Sequence, residues 1–403
     1  MKTAVKKQNI PKGWEQKQIK DLLDYERPDN YIVKSTSYAD TEKTPVLTAN
    51  KSFILGYTNE DFGIYKDIPA IIFDDFTTDC KYVDFPFKVK SSAIKILKNK
   101  SSNVDLRFVF EKMKSINFPT GSHKRFYISQ YQDMEVPVPP LAEQKKIAEI
   151  LVTMDTEIQK TVDIIDTTEK LKRGLMEKLF TRGIGHTKFK KTKLGNIPEG
   201  WEVGSFTDLA DSSDKNAIKP GPFGSSLKKS FYVANGYKIY GQEQVISGDA
   251  SVGDYYIDEE KYQELKAFKI KAGDVLISLV GTIGKILIVP EKFKPGIINP
   301  RLLKITPDKN KTSSLFVAYL LDSDLIRKQL TQHSHGGTMS ILNKSSLLGL
   351  SFGVPPKSEQ EKIAEILSVI DEKISINQKL KVGLTLLKKG LVRDLLSGEK
   401  RTI

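Results

Sequence analysis

The sequence is poor in groups that react or cross-link at a single point. Cys80 is the only cysteine, so no disulfide can form within the chain, which fits a reducing compartment. There are four histidines. Two of them, His333 and His335 in "HSHGG", have no third ligand nearby, so no metal site is expected. Long apolar runs are missing too. The longest, "VLISLVGTIGKILIV" from Val275 to Val289, is broken by Gly281, Gly284 and Lys285. It falls short of the roughly 18 residues that a membrane helix requires and reads as two strands around a tight turn. The N-terminal residues carry charge without an apolar segment, which is not the pattern of a secretory signal. The expected location is therefore cytoplasmic, away from membranes. "GTIGK" lacks the spacing and the final Ser/Thr of a phosphate-binding loop. Asp74, Asp75 and Asp79 in "FDDFTTD" have no basic catalytic partner at a fixed spacing and read as turn residues. Negative charge is also in deficit. Fifty acidic residues face 63 Lys and Arg, a net charge of +13, and such a balance points to a polyanion such as nucleic acid. The excess lies mainly in two long segments that do not repeat.

What is present is a duplication. "IPKGWEQKQIKDLLD" begins at Ile10 and "IPEGWEVGSFTDLAD" at Ile197, and these two copies hold both tryptophans, Trp14 and Trp201. "VPPLAEQKKIAEIL" begins at Val138 and "VPPKSEQEKIAEIL" at Val354. Each half therefore runs from IPxGW through a body of its own to VPPxxEQxKIAEIL. Two copies are too few for a solenoid and imply a pseudo-dimer.

After each Pro-Pro pair the apolar period changes to three and four. In the first copy the stripe is Ile147, Leu151, Met154, Ile158, Val162, Ile165, Leu171, Leu175 and Leu179. In the second it is Ile363, Leu367, Ile370, Ile374, Leu380, Leu384, Leu387, Leu391 and Leu395. That spacing predicts two proline-free helices of about 40 residues, some 60 Å each. Glu143 and Glu359 fall in the first turns, where the helix dipole favours acid. A helix that long with a narrow stripe needs a partner stripe, so the two should pair antiparallel as a coiled coil. Gly174 and Gly390 mark a bend, a close approach or simply weaker last turns.

The bodies mix short strand-like runs ("AIIF", "KYVDF", "GYKIYG", "GKILIV") with helices near "DLRFVFEKMKSI" and "SLFVAYLLDSDLIRKQL", without βαβ alternation. The fold class expected is α+β, two mixed globular bodies on a pseudo-twofold helical frame. The divisions are residues 1–140 for the first body, 141–182 for a helical spacer, 183–196 for a linker, 197–356 for the second body and 357–399 for a second spacer.

The two IPxGW starts and the two VPPxxEQxKIAEIL phrases, in this order around two helices, make the chain resemble the specificity (S) subunit of type I restriction–modification systems. "TPVLTANKSFILGYT", "IIFDDFTT" and "FKVKSSAIKIL" are similar to one target-recognition domain type of that family. "PGPFGSSLK", "GDVLISLVGTIGK" and "IINPRLL" are similar to another. The resemblance implies that each body reads one half of a split, asymmetric site on double-stranded DNA. It implies that the helices hold the bodies apart and dock two methylation subunits, which methylate adenine N6, and up to two restriction subunits. It implies no catalysis and no cofactor on this chain, with S-adenosylmethionine, ATP and Mg on the partner subunits. In agreement, Asn299-Pro300 is followed by Arg301, so the Asn/Asp-Pro-Pro-aromatic motif of adenine methyltransferases is absent. A free-standing coiled-coil DNA-binding or architectural protein would share the basic bodies and long helices.

Phosphate contacts need Lys, Arg and loop N–H groups, while base edges need Arg, Lys, Asn, Gln, Ser or Thr in a groove. In the first body the candidates are Ser122, His123, Lys124, Arg125 and Tyr127 of "GSHKRFY", with Lys51, Lys81, Lys88 and Lys90. In the second they are Ser225, Ser226, Lys228 and Lys229 of "FGSSLKK", Tyr240, Gln242 and Gln244 of "YGQEQ", and His333, His335 and Thr338 of "HSHGGTMS".

Overall fold

Each Pro-Pro pair opens one long helix, Leu141–Arg182 and Lys357–Ser397, in the computed structural model, which describes residues 10–49, 52–119, 124–332 and 342–402. The chain divides into two compact units, Met1–Asp163 with Gln378–Ile403, and Ile164–Asn377. Each unit thus holds one body and one end of each long helix.

In the first unit, β1 (Glu15–Gln18) pairs antiparallel with β9 (Glu135–Val138), clasping the start of the body to its end. Between them run β2 (Leu23–Glu26), β3 (Thr44–Leu47), β4 (Ile54–Thr58), β5 (Ala70–Asp74), β6 (Cys80–Val83), β7 (Lys88–Val89) and β8 (Ile94–Asn99). They form an antiparallel sheet of order β2-β8-β5-β6 and a second sheet, β4-β3-β7, in which β3 and β7 are parallel. The helix Leu106–Ser115 starts where Asp105 accepts a hydrogen bond from the Phe108 N–H at 2.8 Å.

The second unit repeats this plan strand for strand. After the hairpin β10 (Phe189–Thr192) and β11 (Gly195–Pro198), β12 (Glu202–Gly204) pairs with β20 (Phe352–Val354). Between them come β13 (Ile218–Pro220), β14 (Tyr237–Tyr240), β15 (Tyr256–Ile257), β16 (Val275–Ser278), β17 (Ile286–Ile288), β18 (Gly296–Ile298) and β19 (Leu302–Ile305). Their sheets are β13-β19-β16-β17 and β15-β14-β18, with β14 and β18 parallel. The sequence suggested one helix over "SLFVAYLLDSDLIRKQL". There are two, Ser314–Asp322 and Asp324–Gln332, because Ser323 turns extended (ψ 149°) and its hydroxyl donates to the Leu320 carbonyl at 2.6 Å.

The duplicated phrase proves to be a latch. In the first unit the Trp14 indole N–H donates to Glu143 at 3.1 Å, and Arg401 grips the same carboxylate through Nε and Nη2 at 2.7 and 2.8 Å. In the second unit Trp201 donates to Glu359 at 2.9 Å, and His186 Nε2 lies 2.9 Å from that carboxylate. The neighbouring glutamines fold back: Gln144 donates to the Pro139 carbonyl and Gln360 to the Pro355 carbonyl, both at 2.9 Å. Gln144 also accepts from the Asp105 N–H, and Gln360 from the Thr312 hydroxyl, so each ties its helix to its body. The third member of each latch follows the helix of the opposite repeat. His186 comes after the first helix, and Arg401 after the second. Gly183 (φ +66°) and Gly398 (φ +73°) turn the chain out of those helices in the left-handed conformation that closes many helix ends.

The helices meet antiparallel in both units. Ile147, Ala148 and Leu151 share a core with Leu395 and Leu396, while Met176, Leu179 and Phe180 share one with Ile363, Ala364 and Leu367. Across the seam Asp155 pairs with Lys388 and, at the same positions of the other copy, Asp371 pairs with Lys172 at 2.6 Å. The seam differs from the expected stripe. In the first helix the inward positions are Ile147, Leu151, Met154, Ile158, Thr161, Ile165, Thr168, Lys172, Leu175 and Leu179, an unbroken alternation of four and three. Leu171 is 60% exposed, and it is the buried Thr161 rather than its neighbour Val162 that keeps the register. In the second helix Leu380 and Leu387 face outward, while Asn377, Leu384 and Lys388 keep the register between Ile374 and Leu391. A side chain's angle about the helix decides its burial, and these leucines stand off the 3.5-residue line. A Cβ at Gly174 or Gly390 would meet nothing within 4 Å, so neither glycine serves a close approach.

Candidate nucleic-acid interface

In the second body the parallel strands β14 and β18 end at the same edge, and four loops meet there. The loop leaving β13 is held by the Gly221 N–H to the Leu302 carbonyl at 2.8 Å. The loop after β18 is joined to β14 by the Asn299 N–H to the Tyr240 carbonyl at 2.8 Å. The β16–β17 turn joins through the Leu279 N–H to the Arg301 carbonyl at 2.9 Å, and Gly281 (φ +67°) and Gly284 (φ +76°) shape it. Gln242 donates to the Val280 carbonyl and accepts from Arg301 Nη1 at 3.3 Å, which leaves the Arg301 guanidinium exposed but aimed. Ser225 and Thr282, in two of these loops, are exposed, and Asn299 is half-buried. Arg, Asn and Gln on one rim are the side chains that read guanine and adenine edges. Exposed Lys228 and Lys229 continue the first loop and suit phosphate.

The first body has the corresponding edge. The Lys90 N–H donates to the Leu47 carbonyl at 3.0 Å, the Asp75 N–H to the Ala93 carbonyl at 2.9 Å, and the Phe126 N–H to the Asp75 carbonyl at 2.8 Å. Lys90, Lys124 and Arg125 are exposed here, with Arg125 5.9 Å from the centre of the Phe76 ring. Asp74 is spent within the turn, accepting from the Phe76 and Thr77 N–H groups at 2.9 Å. Buried Asp75 pairs with buried Lys95 at 3.3 Å.

Four expected DNA contacts are instead part of the interior. Lys88 is fully buried on β7; its ammonium donates to the Phe62 carbonyl at 2.7 Å and pairs with Glu60 at 3.0 Å. Tyr127 is buried between Phe73 and Tyr131, and burial pushes its phenol well up. Tyr240 is buried, donates to the Lys294 carbonyl at 2.8 Å, and has its phenol pushed up to about 12 by burial. Gln244 is buried, accepting from the Gly241 N–H and donating to the Val252 carbonyl, both at 2.7 Å. A strand or turn position that points inward overrides the polarity of its side chain when partners are supplied. Lys81 is half-buried on β6, and Ser226 is half-buried. Lys51, Ser122, His123, His333, His335 and Thr338 lie outside the described residues. Sequence reasoning missed Arg301, Asn299, Thr282, Phe223 and Phe76. Their signal was position, immediately after a strand or within a Gly-bearing turn, in motifs already singled out. Among the described residues no group of three or more His, Cys, Asp or Glu could hold a metal ion. Among them also, no helix is long and apolar enough to cross a membrane.

The type I restriction modification DNA specificity domain matches residues 11–167 and again 198–386. The EcoR124I/EcoR124II specificity subunit of Escherichia coli is 31% identical over 87% of this chain and 85% of its own. The MjaVIII specificity subunit of Methanocaldococcus jannaschii is 27% identical over 97% and 94%. The S subunit structure from M. genitalium superposes with a TM-score of 0.62 at 17% identity, covering 96% of both chains, so the fold is shared as well. With both halves matched in sequence and the whole in fold, the chain belongs to the type I restriction–modification DNA specificity family, as a specificity subunit with two DNA specificity domains.

Proposed function

We propose that each body reads one half of a bipartite, asymmetric DNA site, and that the paired helices fix the unread gap and dock two methylation subunits acting on adenine N6. Up to two restriction subunits join them. S-adenosylmethionine, ATP and Mg²⁺ belong to those partners, and this chain contributes recognition. The observation that carries the reading is one seven-strand scaffold used twice with unlike side chains at the same edge. One edge offers Gln242, Asn299 and Arg301; the other offers Lys90, Phe76 and Arg125. The same frame bearing different readers suits two different half-sites. The second long helix supports the docking role, because Val369 and Ile376 are more than half exposed within the second unit, a surface of the kind a protein partner covers. Methylome sequencing of the host with and without this chain tests the reading. A split adenine-methylated motif that disappears on deletion is expected; an unchanged methylome rejects it.

A further inference from the structure

One residue at the edge of the second body is neither polar nor packed. Phe223 is 86% exposed, the most exposed large apolar side chain among the described residues. The exposed rings of the first body have company: Phe62 lies under Lys34 and Lys88, and Phe76 faces Arg125. Among the described residues, no ring or cation lies against Phe223. Scattered apolar surface residues are ordinary, so exposure alone assigns no role. This one is braced. Pro220 and Pro222 both precede it, Pro222 directly, and stiffen the approach. A Cβ on Gly221 would fall 1.8 Å from the Asn299 carbonyl oxygen, so the loop backbone presses directly on the loop that carries Arg301. The Ser226 N–H closes the turn on the Phe223 carbonyl at 2.8 Å. The result is a rigid apolar tip next to base-reading groups, followed within six residues by Ser225, Lys228 and Lys229.

We propose that Phe223 is a wedge that enters the base stack at the half-site read by the second body. This rests on the DNA-reading function proposed above and adds a mode of contact to it. A flat apolar ring on a pre-ordered loop loses little freedom when it inserts, and it gains by stacking on any base. Insertion partly unstacks a step and bends the duplex. An opened step also lowers the work needed to draw a neighbouring adenine out for methylation by the partner subunit.

The test uses the full chain co-purified with its methylation subunits and a duplex carrying the motif found by methylome sequencing. 2-Aminopurine replaces one base at a time across the half-site. Wild type should raise the fluorescence at one step. Phe223→Ala should assemble normally, lose that signal and bind about 5- to 100-fold more weakly. Phe223→Trp should restore the signal, with its own indole emission quenched by DNA. Arg301→Ala is the control: it should weaken binding while keeping the 2-aminopurine rise at saturating protein. Absence of any rise with wild type overturns the wedge, as does wild-type affinity and signal in Phe223→Ala. Failure of Phe223→Ala to hold the methylation subunits would assign the ring to a protein contact and overturn it too. If no variant, wild type included, prefers the motif over random DNA, it is the DNA-reading function that fails.

Discussion

Glu143 is a carboxylate with no exposed surface, and its charge is kept by its neighbours. Burial pushes the carboxyl up, but Arg401 and the Trp14 N–H outweigh it and hold Glu143 below the usual range. A depressed carboxyl stabilises the fold fully above the unfolded group's ordinary value, and that contribution drains away as pH falls through the lower folded value. Acid unfolding of wild type should therefore steepen below about pH 4.5 relative to Glu143→Gln, followed by circular dichroism. Trp14→Phe keeps most of the ring and removes the donor. It should cost about 1–3 kcal/mol in thermal or urea unfolding, because the acceptor is charged. At the reading edge, Arg301→Ala should relax one base position of one half-site by about 1–3 kcal/mol and leave the other half-site untouched, visible as a degenerate methylome motif. At this scale the sequence was a partial guide. Glu143 and Glu359 stood out by repetition, yet their partners come from far along the chain, and nothing in "GEKRTI" or "GIGHTK" announces a hydrogen bond. Lys88 and Gln244 misled because residue type was read without knowing which way a strand or turn faced.

The long helices were legible in extent, and their seam only in part. Proline-free stretches opened by Pro-Pro gave the boundaries. The stripe went wrong where Val162, Leu171 and Leu387, each one step off the heptad, outbid Thr161, Lys172 and Lys388 for a core position. Apolar ranking cannot see that a half-buried lysine brings its own aspartate. Gly174 and Gly390 weaken the helices with no compensating contact. Gly174→Ala and Gly390→Ala should each raise stability by up to about 1 kcal/mol, measured by urea unfolding. In the bodies the strand runs were visible, but sheet order was not. Each β3–β7 or β14–β18 pairing is parallel across a long excursion, and only three-dimensional packing selects it.

For the whole molecule, duplication was the most readable feature, and it carried the architecture. The proposed role of the helices as a spacer has a quantitative consequence set by their register. Inserting seven residues at matching points of both helices keeps the alternation of four and three intact and adds about 10 Å. At about 3.4 Å per base-pair step, the unread gap should grow by roughly three base pairs, with both half-sites unchanged. An unaltered gap in the methylome would remove the helices from that role. A last consequence follows from the crossed latches, in which the chain emerging from either helix secures the opposite repeat's opening tryptophan. Each latch thus does without a covalent link what the polypeptide does between the first helix and the second repeat. A gene recut to start in residues 187–196, with the old ends joined by a short flexible bridge, should yield a permuted protein that still assembles and still marks the same DNA.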